Sequence, residues 1–282
     1  MSAVWFFRYN IALALSKLPN LVEHKANPIN RTVVQEARSI MPFNPKIIIA
    51  LDHETDTDAL LFAAKLVPQY CRLKVGKYLF VRYGPEFVRK LIDMGFDVFL
   101  DLKFHDIPHT VRQACQAAAE LGVWMLNVHC QGGSEMLCAA VEGVELASYT
   151  RRPLLLGVTL LTSLSQQDVN ALGHQESSEQ LVIRYAKIAQ HAGLDGVVCS
   201  AQEAALLRRE FDRPFVLLTP GIRLKSSAHD DQQRVQTPDL AFKAGADYLV
   251  VGRPITRASD PVAVFWQYHD ACADHLSFVN NT

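Results

Sequence analysis

The chain has 282 residues, 49% of them hydrophobic, with 28 basic against 29 acidic side chains and a formal net charge of −1. That is enough apolar material for one large α/β barrel or two smaller domains, and the balanced charge gives no footprint of a nucleic-acid-binding surface. The cysteines at 71, 115, 130, 138, 199 and 272 form no C-x-x-C pair, and no apolar run approaches the ~20 residues that span a bilayer. Several of these cysteines sit in apolar patterns as small hydrophobes, which predicts a protein of the reducing cytoplasm without a membrane partner.

Residues 1–40 do not resemble the rest of the chain. Val4 to Phe7 and Ile11 to Leu15 are apolar, but Arg8 and Asn10 interrupt them, which makes a weak signal peptide. The expectation is an N-terminal extension, or an upstream start with Met41 as the natural one, ahead of a catalytic domain over 41–282.

From Lys46 a rhythm sets in. Lys46 to Asp52 is an apolar strand ending in an acid, followed by a helical stretch from Asp56 to Val67. Arg72 to Gly76 is the second strand, Pro85 to Met94 the next helix, and Val98 to Lys103 the third strand. A helix over Val111 to Leu121 leads to Trp124–His129, and one from Ser134 leads to Leu154–Thr159. Helices around Leu181 to Ala192, from Gln202, and over Pro238 to Ala244 separate Gly196–Ser200, Phe215–Gly221 and Tyr248–Arg253. The strands are nearly continuous apolar runs, as in a parallel sheet covered by helices on its outer face. Eight such units predict a single (β/α)8 TIM barrel, with a doubly wound open sheet as the runner-up. In a barrel the polar residues at the strand C-termini share one rim, here Asp52, Lys74, Asp101, Lys103, His129, Thr162, Arg223 and Arg253.

One stretch dominates that rim: Asp101-Leu102-Lys103-Phe104-His105-Asp106-Ile107-Pro108-His109-Thr110. Alternation along a strand sends Asp101 and Lys103 to the same side. Asp106 is placed to cap the next helix, with Pro108 in its first turn. A single Asp-x-Lys reads as readily as a salt bridge without a task. A lysine here has three roles open to it: Schiff-base nucleophile, proton donor or electrostatic partner. Flanking carboxylates favour the charged ammonium, so the expected role is proton donor. His105 and His109 mimic an i, i+4 metal pair, but Pro108 lies between them, and no metal is expected. His129 reads as a hydrogen-bonded structural histidine.

The last two strands carry a phosphate signal. Pro220-Gly221-Ile222-Arg223 follows one and Gly252-Arg253-Pro254 the other. Loops at these places in barrels commonly hold a phosphate. Gly252 allows close backbone approach, and the arginines offer fork-shaped donors. The polar loop from Lys225 to Val235 is long enough to form a lid.

Asp-Leu-Lys-Phe-His-Asp-Ile-Pro closely resembles the signature of the orotidine 5′-phosphate decarboxylases. The resemblance extends from about Ile47 to Pro261 through Leu51-Asp52, Arg72 to Gly76, Leu161-Thr162-Ser163, Gly196 to Gln202, Pro220 to Arg223, Asp231-Gln232 and Gly252-Arg253-Pro254. It implies a homodimer of barrels that converts orotidine monophosphate to UMP and carbon dioxide without cofactor or metal. Residue by residue, it implies that Lys103 protonates C6 and that Asp101 lies beside the scissile carboxylate. Lys74 and Asp52 would hold the ribose hydroxyls and the charge network. Asp106 and Thr110 would enter the neighbouring subunit's site, with Ile107 also among the substrate-binding residues. Thr162 would meet the base, and Arg223, Gln232, Gly252 and Arg253 the phosphate. The lid departs from the family, which often has Pro and Gly after Gly-Ile-Arg, where this chain reads Leu224-Lys225-Ser226-Ser227-Ala228-His229. Two alternatives share the architecture: a magnesium-dependent sugar-phosphate decarboxylase or aldolase, separable by chelator sensitivity, and a non-catalytic barrel that only grips a nucleotide phosphate.

Overall fold

In a computed structural model of the chain, the structure describes residues 44–224, 236–272 and 275. Eight parallel strands close into a barrel in sequence order: β1 (Ile47–Leu51), β2 (Arg72–Gly76), β3 (Val98–Phe104), β4 (Met125–His129), β5 (Leu154–Val158), β6 (Gly196–Val198), β7 (Val216–Pro220) and β8 (Tyr248–Val251). β1 closes the ring on β8, with Ile48 opposite Val250. The helices among the described residues are α1 (Asp56–Ala63), α2 (Lys77–Asp93), α3 (Pro108–Glu120), α4 (Gly133–Leu146), α5 (Gln166–Ala171), α6 (Ser178–His191), α7 (Ala201–Glu210), α8 (Pro238–Lys243), α9 (Arg253–Thr256) and α10 (Pro261–Asp270). The predicted barrel is therefore the observed one. The sequence rhythm did not mark α5, α9 or α10, of which the first two are too short to show a helical period.

The strand alternation divides the core in two. Ile47, Ile49 and Leu51 face outward into the large layer between sheet and helices. Ile48 and Ala50 face inward, where Phe99, Trp124, Met125, Leu218 and Tyr248 fill the barrel. Helix boundaries follow local chemistry. Capping boxes of Ser177 with Gln180 and Ser200 with Glu203 start α6 and α7. The helix expected from Pro85 begins earlier, at Lys77, because a bend at Gly84, with φ 65°, joins two helical pieces ahead of the proline. Asp106 does not cap α3. The N-cap is Ile107, and the Asp106 carboxylate instead accepts the Ile107 N–H at 2.6 Å.

The N-terminal rim spends its charges on closing the strands. Arg72 is buried, pairs with Asp97 at 3.2 Å and lies 3.9 Å from the Trp124 ring centroid. Asp195 accepts the Leu155 N–H at 2.7 Å and pairs with Arg152 at 2.8 Å. Asp247 repeats the device with the Leu217 N–H at 2.8 Å and Arg208 at 2.6 Å. In each case an aspartate directly before one strand holds an arginine, and two of them also accept from the amide of the second residue of the neighbouring strand.

Gly196 shows how tightly β6 and β7 are apposed: it pairs with Val216, and a Cβ at this position would overlap the Val216 carbonyl. Gly196→Ala is expected to destabilise the fold by about 1–3 kcal/mol in urea unfolding, with kcat of the folded protein largely kept, since the position lies at the rim away from the cavity. An unchanged unfolding midpoint would show that the two strands part freely.

Candidate active site

The same parity that fills the barrel with apolar side chains delivers polar ones at its C-terminal mouth. On β1 and just beyond it the inward sequence is Ile48, Ala50, Asp52; on β3 it is Phe99, Asp101, Lys103; on β8 and beyond it is Tyr248, Val250, Gly252. All of these except Ile48 and Tyr248 line a cavity of about 680 Å³, within the range of small-molecule sites.

At its floor the Asp101 carboxylate lies between two ammonium groups. Lys103 Nζ is 2.6 Å from Oδ1 and Lys74 Nζ is 2.9 Å from Oδ2. Burial pushes the Asp101 carboxyl up, but the Lys74 and Lys103 charges, with hydrogen bonds from Lys103 and Asn127, more than offset it and hold the group down at about 2. The carboxylate is thus ionised throughout the neutral range.

This arrangement depends on an irregular β3. Leu100 pairs with Leu126 and Phe104 with Val128, so four residue steps on β3 run against two on β4. Such a bulge leaves amides without ladder partners. The Lys103 N–H is taken instead by Asn127 Oδ1 at 2.8 Å, while Asn127 Nδ2 donates to Asp101 Oδ1 at 2.8 Å. Lys103 itself has φ 52°, among the described residues the only non-glycine in the left-handed region. A side chain held there costs about 1–3 kcal/mol, and such strain gathers at functional sites.

The opposite end of the cavity is cationic. Arg223 follows β7, and Arg253 opens α9; neither has a carboxylate partner among the described residues. The Arg223 N–H donates to the Gln236 carbonyl at 3.2 Å and Tyr268 Oη donates to the Ile222 carbonyl at 3.4 Å, which anchors the loop from both sides. Gly252 is also close to a neighbouring side chain: a Cβ there would fall 2.8 Å from Asp52 Oδ2, so a larger residue would displace that exposed carboxylate.

Residues 45–268 match the sequence model of the orotidine 5′-phosphate decarboxylase / HUMPS family. The chain belongs to this family. It is 53% identical over 219 residues to the orotidine 5′-phosphate decarboxylase of Coxiella burnetii, covering 78% of this chain and 93% of that protein. It is 55% identical over 219 residues to that of Neisseria gonorrhoeae, covering 77% of this chain and 88% of the other. The crystal structure of orotidine 5′-phosphate decarboxylase from Lactobacillus acidophilus superposes with a TM-score of 0.73 at 37% identity, covering 81% of this chain and 99% of that one.

Of the residues expected from the sequence, this family member's cavity brings together Asp52, Lys74, Asp101, Lys103, Thr162, Arg223, Gly252 and Arg253. Asp106, Ile107 and Thr110 do not line it; all are exposed, Ile107 to 65%. Gln232 and the rest of the proposed lid, Lys225 to Val235, lie outside the described residues, as does the extension over 1–40. His109 Nδ1 lies 3.4 Å from an Arg112 nitrogen, and His105 packs against His129 with ring centroids 5.4 Å apart. Among the described residues no group of three or more His, Cys, Asp or Glu side chains is arranged to hold a metal ion, and no helix is long and apolar enough to cross a membrane.

Two residues escaped the sequence reading. Arg257 lines the cavity and is one helical turn from Arg253, a spacing that could have revealed it. Asn127 is a polar residue inside an apolar strand, and a buried amide of that kind must find partners.

His129 offers a pH test of this packing. Burial, together with the His105, Lys103 and Lys77 charges, lowers it from 6.5 to about 4 against a smaller opposing effect of Asp101. Between pH 6.5 and about 4 the unfolded chain therefore takes up a proton that the folded protein refuses, so stability falls as pH falls through that window. His129→Gln is expected to flatten that decline in thermal melts recorded across the same range. Parallel melting curves for the two proteins would place the His129 ring in a solvated setting.

Proposed function

We propose that this chain decarboxylates orotidine 5′-phosphate to UMP and carbon dioxide without a cofactor, in pyrimidine biosynthesis in the cytoplasm, with residues 41–282 as the catalytic unit. The observation that carries the reading is the Asp101 carboxylate clamped by Lys74 and Lys103, at one end of a cavity whose other end presents Arg223 and Arg253. A substrate with a phosphate at one end and a carboxylate at the other matches that polarity.

In the proposed step the bond between C6 and the carboxylate breaks, carbon dioxide leaves, and the electron pair stays on C6. Lys103 then gives its proton to C6 and regains one from solvent. No delocalising group takes up the developing charge, so fixed positive charge beside C6 is the main requirement. Asp101 repels the substrate carboxylate by roughly 4 kcal/mol for unit charges ~4 Å apart at an effective dielectric of 20, which is only part of the acceleration needed. Stabilisation by Lys103, and binding energy from Arg223, Gln232, Gly252 and Arg253 at the phosphate, must supply more. Asp52 and Lys74 hold the ribose hydroxyls, and Thr162 meets the base.

Asp106, Ile107 and Thr110 do not line their own cavity, and we assign them to the site of a second copy in a homodimer. Their exposure at the start of α3, with 65% of Ile107 accessible, supports that placement. A two-fold interface exchanges equivalent residues, so each pocket would take Lys103 from one chain and Asp106 from the other.

The activity is tested by following the absorbance of orotidine 5′-phosphate with purified protein; absence of turnover would overturn the reading. Lys103→Ala is expected to lose essentially all turnover while keeping much of its affinity for UMP, because the lost interaction belongs to the chemical step. A near-normal kcat for the folded variant would remove Lys103 from the mechanism. The shared site predicts that Lys103→Ala and Asp106→Ala proteins, each poorly active, regain activity on subunit exchange, approaching half per mixed dimer. No recovery despite verified exchange would place Asp106 in its own chain's pocket.

A further inference from the structure

Asn127 stands beneath the reacting groups without lining the cavity. It is fully buried on β4, and its two side-chain hydrogen bonds both end on β3: Oδ1 accepts from the Lys103 N–H and Nδ2 donates to Asp101 Oδ1, each at 2.8 Å. One amide thus spans the two residues that carry the charges, across the point where the register of β3 slips. The Asp101 oxygen that it holds is the one that Lys103 Nζ reaches at 2.6 Å. The backbone amide that it holds belongs to the residue whose φ of 52° is unfavourable for any side chain. Release of that amide would let Lys103 relax toward an extended conformation and swing its Cα–Cβ bond, and with it the ammonium, off the Asp101 carboxylate. Release of the carboxylate would free its rotamer. Only a side chain with both an acceptor and a donor can hold the two together.

We propose that Asn127 is the positioning residue of this site: it locks the left-handed backbone of Lys103 and the orientation of the Asp101 carboxylate in one unit, and so sets where the Lys103 ammonium stands. The proposal rests on the reading of Lys103 as proton donor. It separates Asn127 from an ordinary satisfied core residue, whose loss would weaken folding and nucleotide binding without singling out the chemical step.

The experiment compares the full-length wild type with Asn127→Leu, which keeps the volume and loses both hydrogen bonds, and Asn127→Ser, whose hydroxyl can accept and donate. For orotidine 5′-phosphate, kcat of Asn127→Leu is expected to fall about a hundredfold, the scale of a small misplacement of a reacting group. KM and UMP affinity should stay within about threefold, because uniform binding is untouched, and Asn127→Ser should recover part of the lost kcat. The proposal is overturned by a kcat close to that of the wild type in Asn127→Leu. A proportional loss of kcat and UMP affinity, or a Ser variant no better than Leu, overturns it equally. Should Asn127→Leu not fold, Asn127→Ser decides alone: a reduced kcat at unchanged UMP affinity supports the role, and wild-type kcat or a joint loss refutes it. A wild type that does not turn over the substrate removes the underlying decarboxylase reading, whereas an active wild type with unaffected variants removes only the role of Asn127.

Discussion

Two ammonium groups share one buried carboxylate at the floor of the cavity, and the rest of the C-terminal face is built around that contact. Asp101 keeps only a small part of its surface in water, yet its charge is stable because Lys74 and Lys103 approach at 2.9 and 2.6 Å and Asn127 adds a hydrogen bond. Removing any one of these partners would leave an under-compensated charge in a place where desolvation is costly. The same arrangement keeps fixed positive and negative charge in place before a substrate arrives, so little reorganisation is required during reaction.

The two rims of the barrel use charge in opposite ways. At the N-terminal rim, Asp97, Asp195 and Asp247 each hold an arginine, and Arg72 lies over the aromatic floor formed by Trp124 and Tyr248. Those charges are consumed in closing the strands. At the C-terminal rim Arg223 and Arg253 are without carboxylate partners among the described residues, and Asp52 is exposed. Stability is thus concentrated at one end, which leaves the other free to hold charges that a ligand can satisfy.

The reactive element is a strand, not a loop, and this matters for precision. Lys74 and Asp101 sit within hydrogen-bonded strands, on which a side chain is held more narrowly than on a loop. Only Lys103 departs from regular geometry, and there the strain is balanced by a cross-strand side chain. The phosphate end, by contrast, is carried on loops and a short helix, which suits a grip that must admit and release a nucleotide.

The amino-acid sequence by itself determined the strand order, the shared side of Asp101 and Lys103, the place of Asp52 at a strand end, and the pairing of Arg223 with Gly252-Arg253 at adjoining strand ends. Those features are local: alternation, apolar runs and glycine placement act over a few residues and leave a readable period. Tertiary structure alone decided the two-residue slip between β3 and β4, the left-handed backbone of Lys103, the two hydrogen bonds of Asn127 to β3 and the crowding of Gly252 against Asp52. It also moved the cap of α3 from Asp106 to Ile107. The Asn127 contacts depend on partners 24 and 26 residues away, and that between Asp52 and Gly252 spans a longer stretch still. A contact across strands leaves no period in the chain, because its geometry is fixed only when the barrel closes and brings distant residues to one rim.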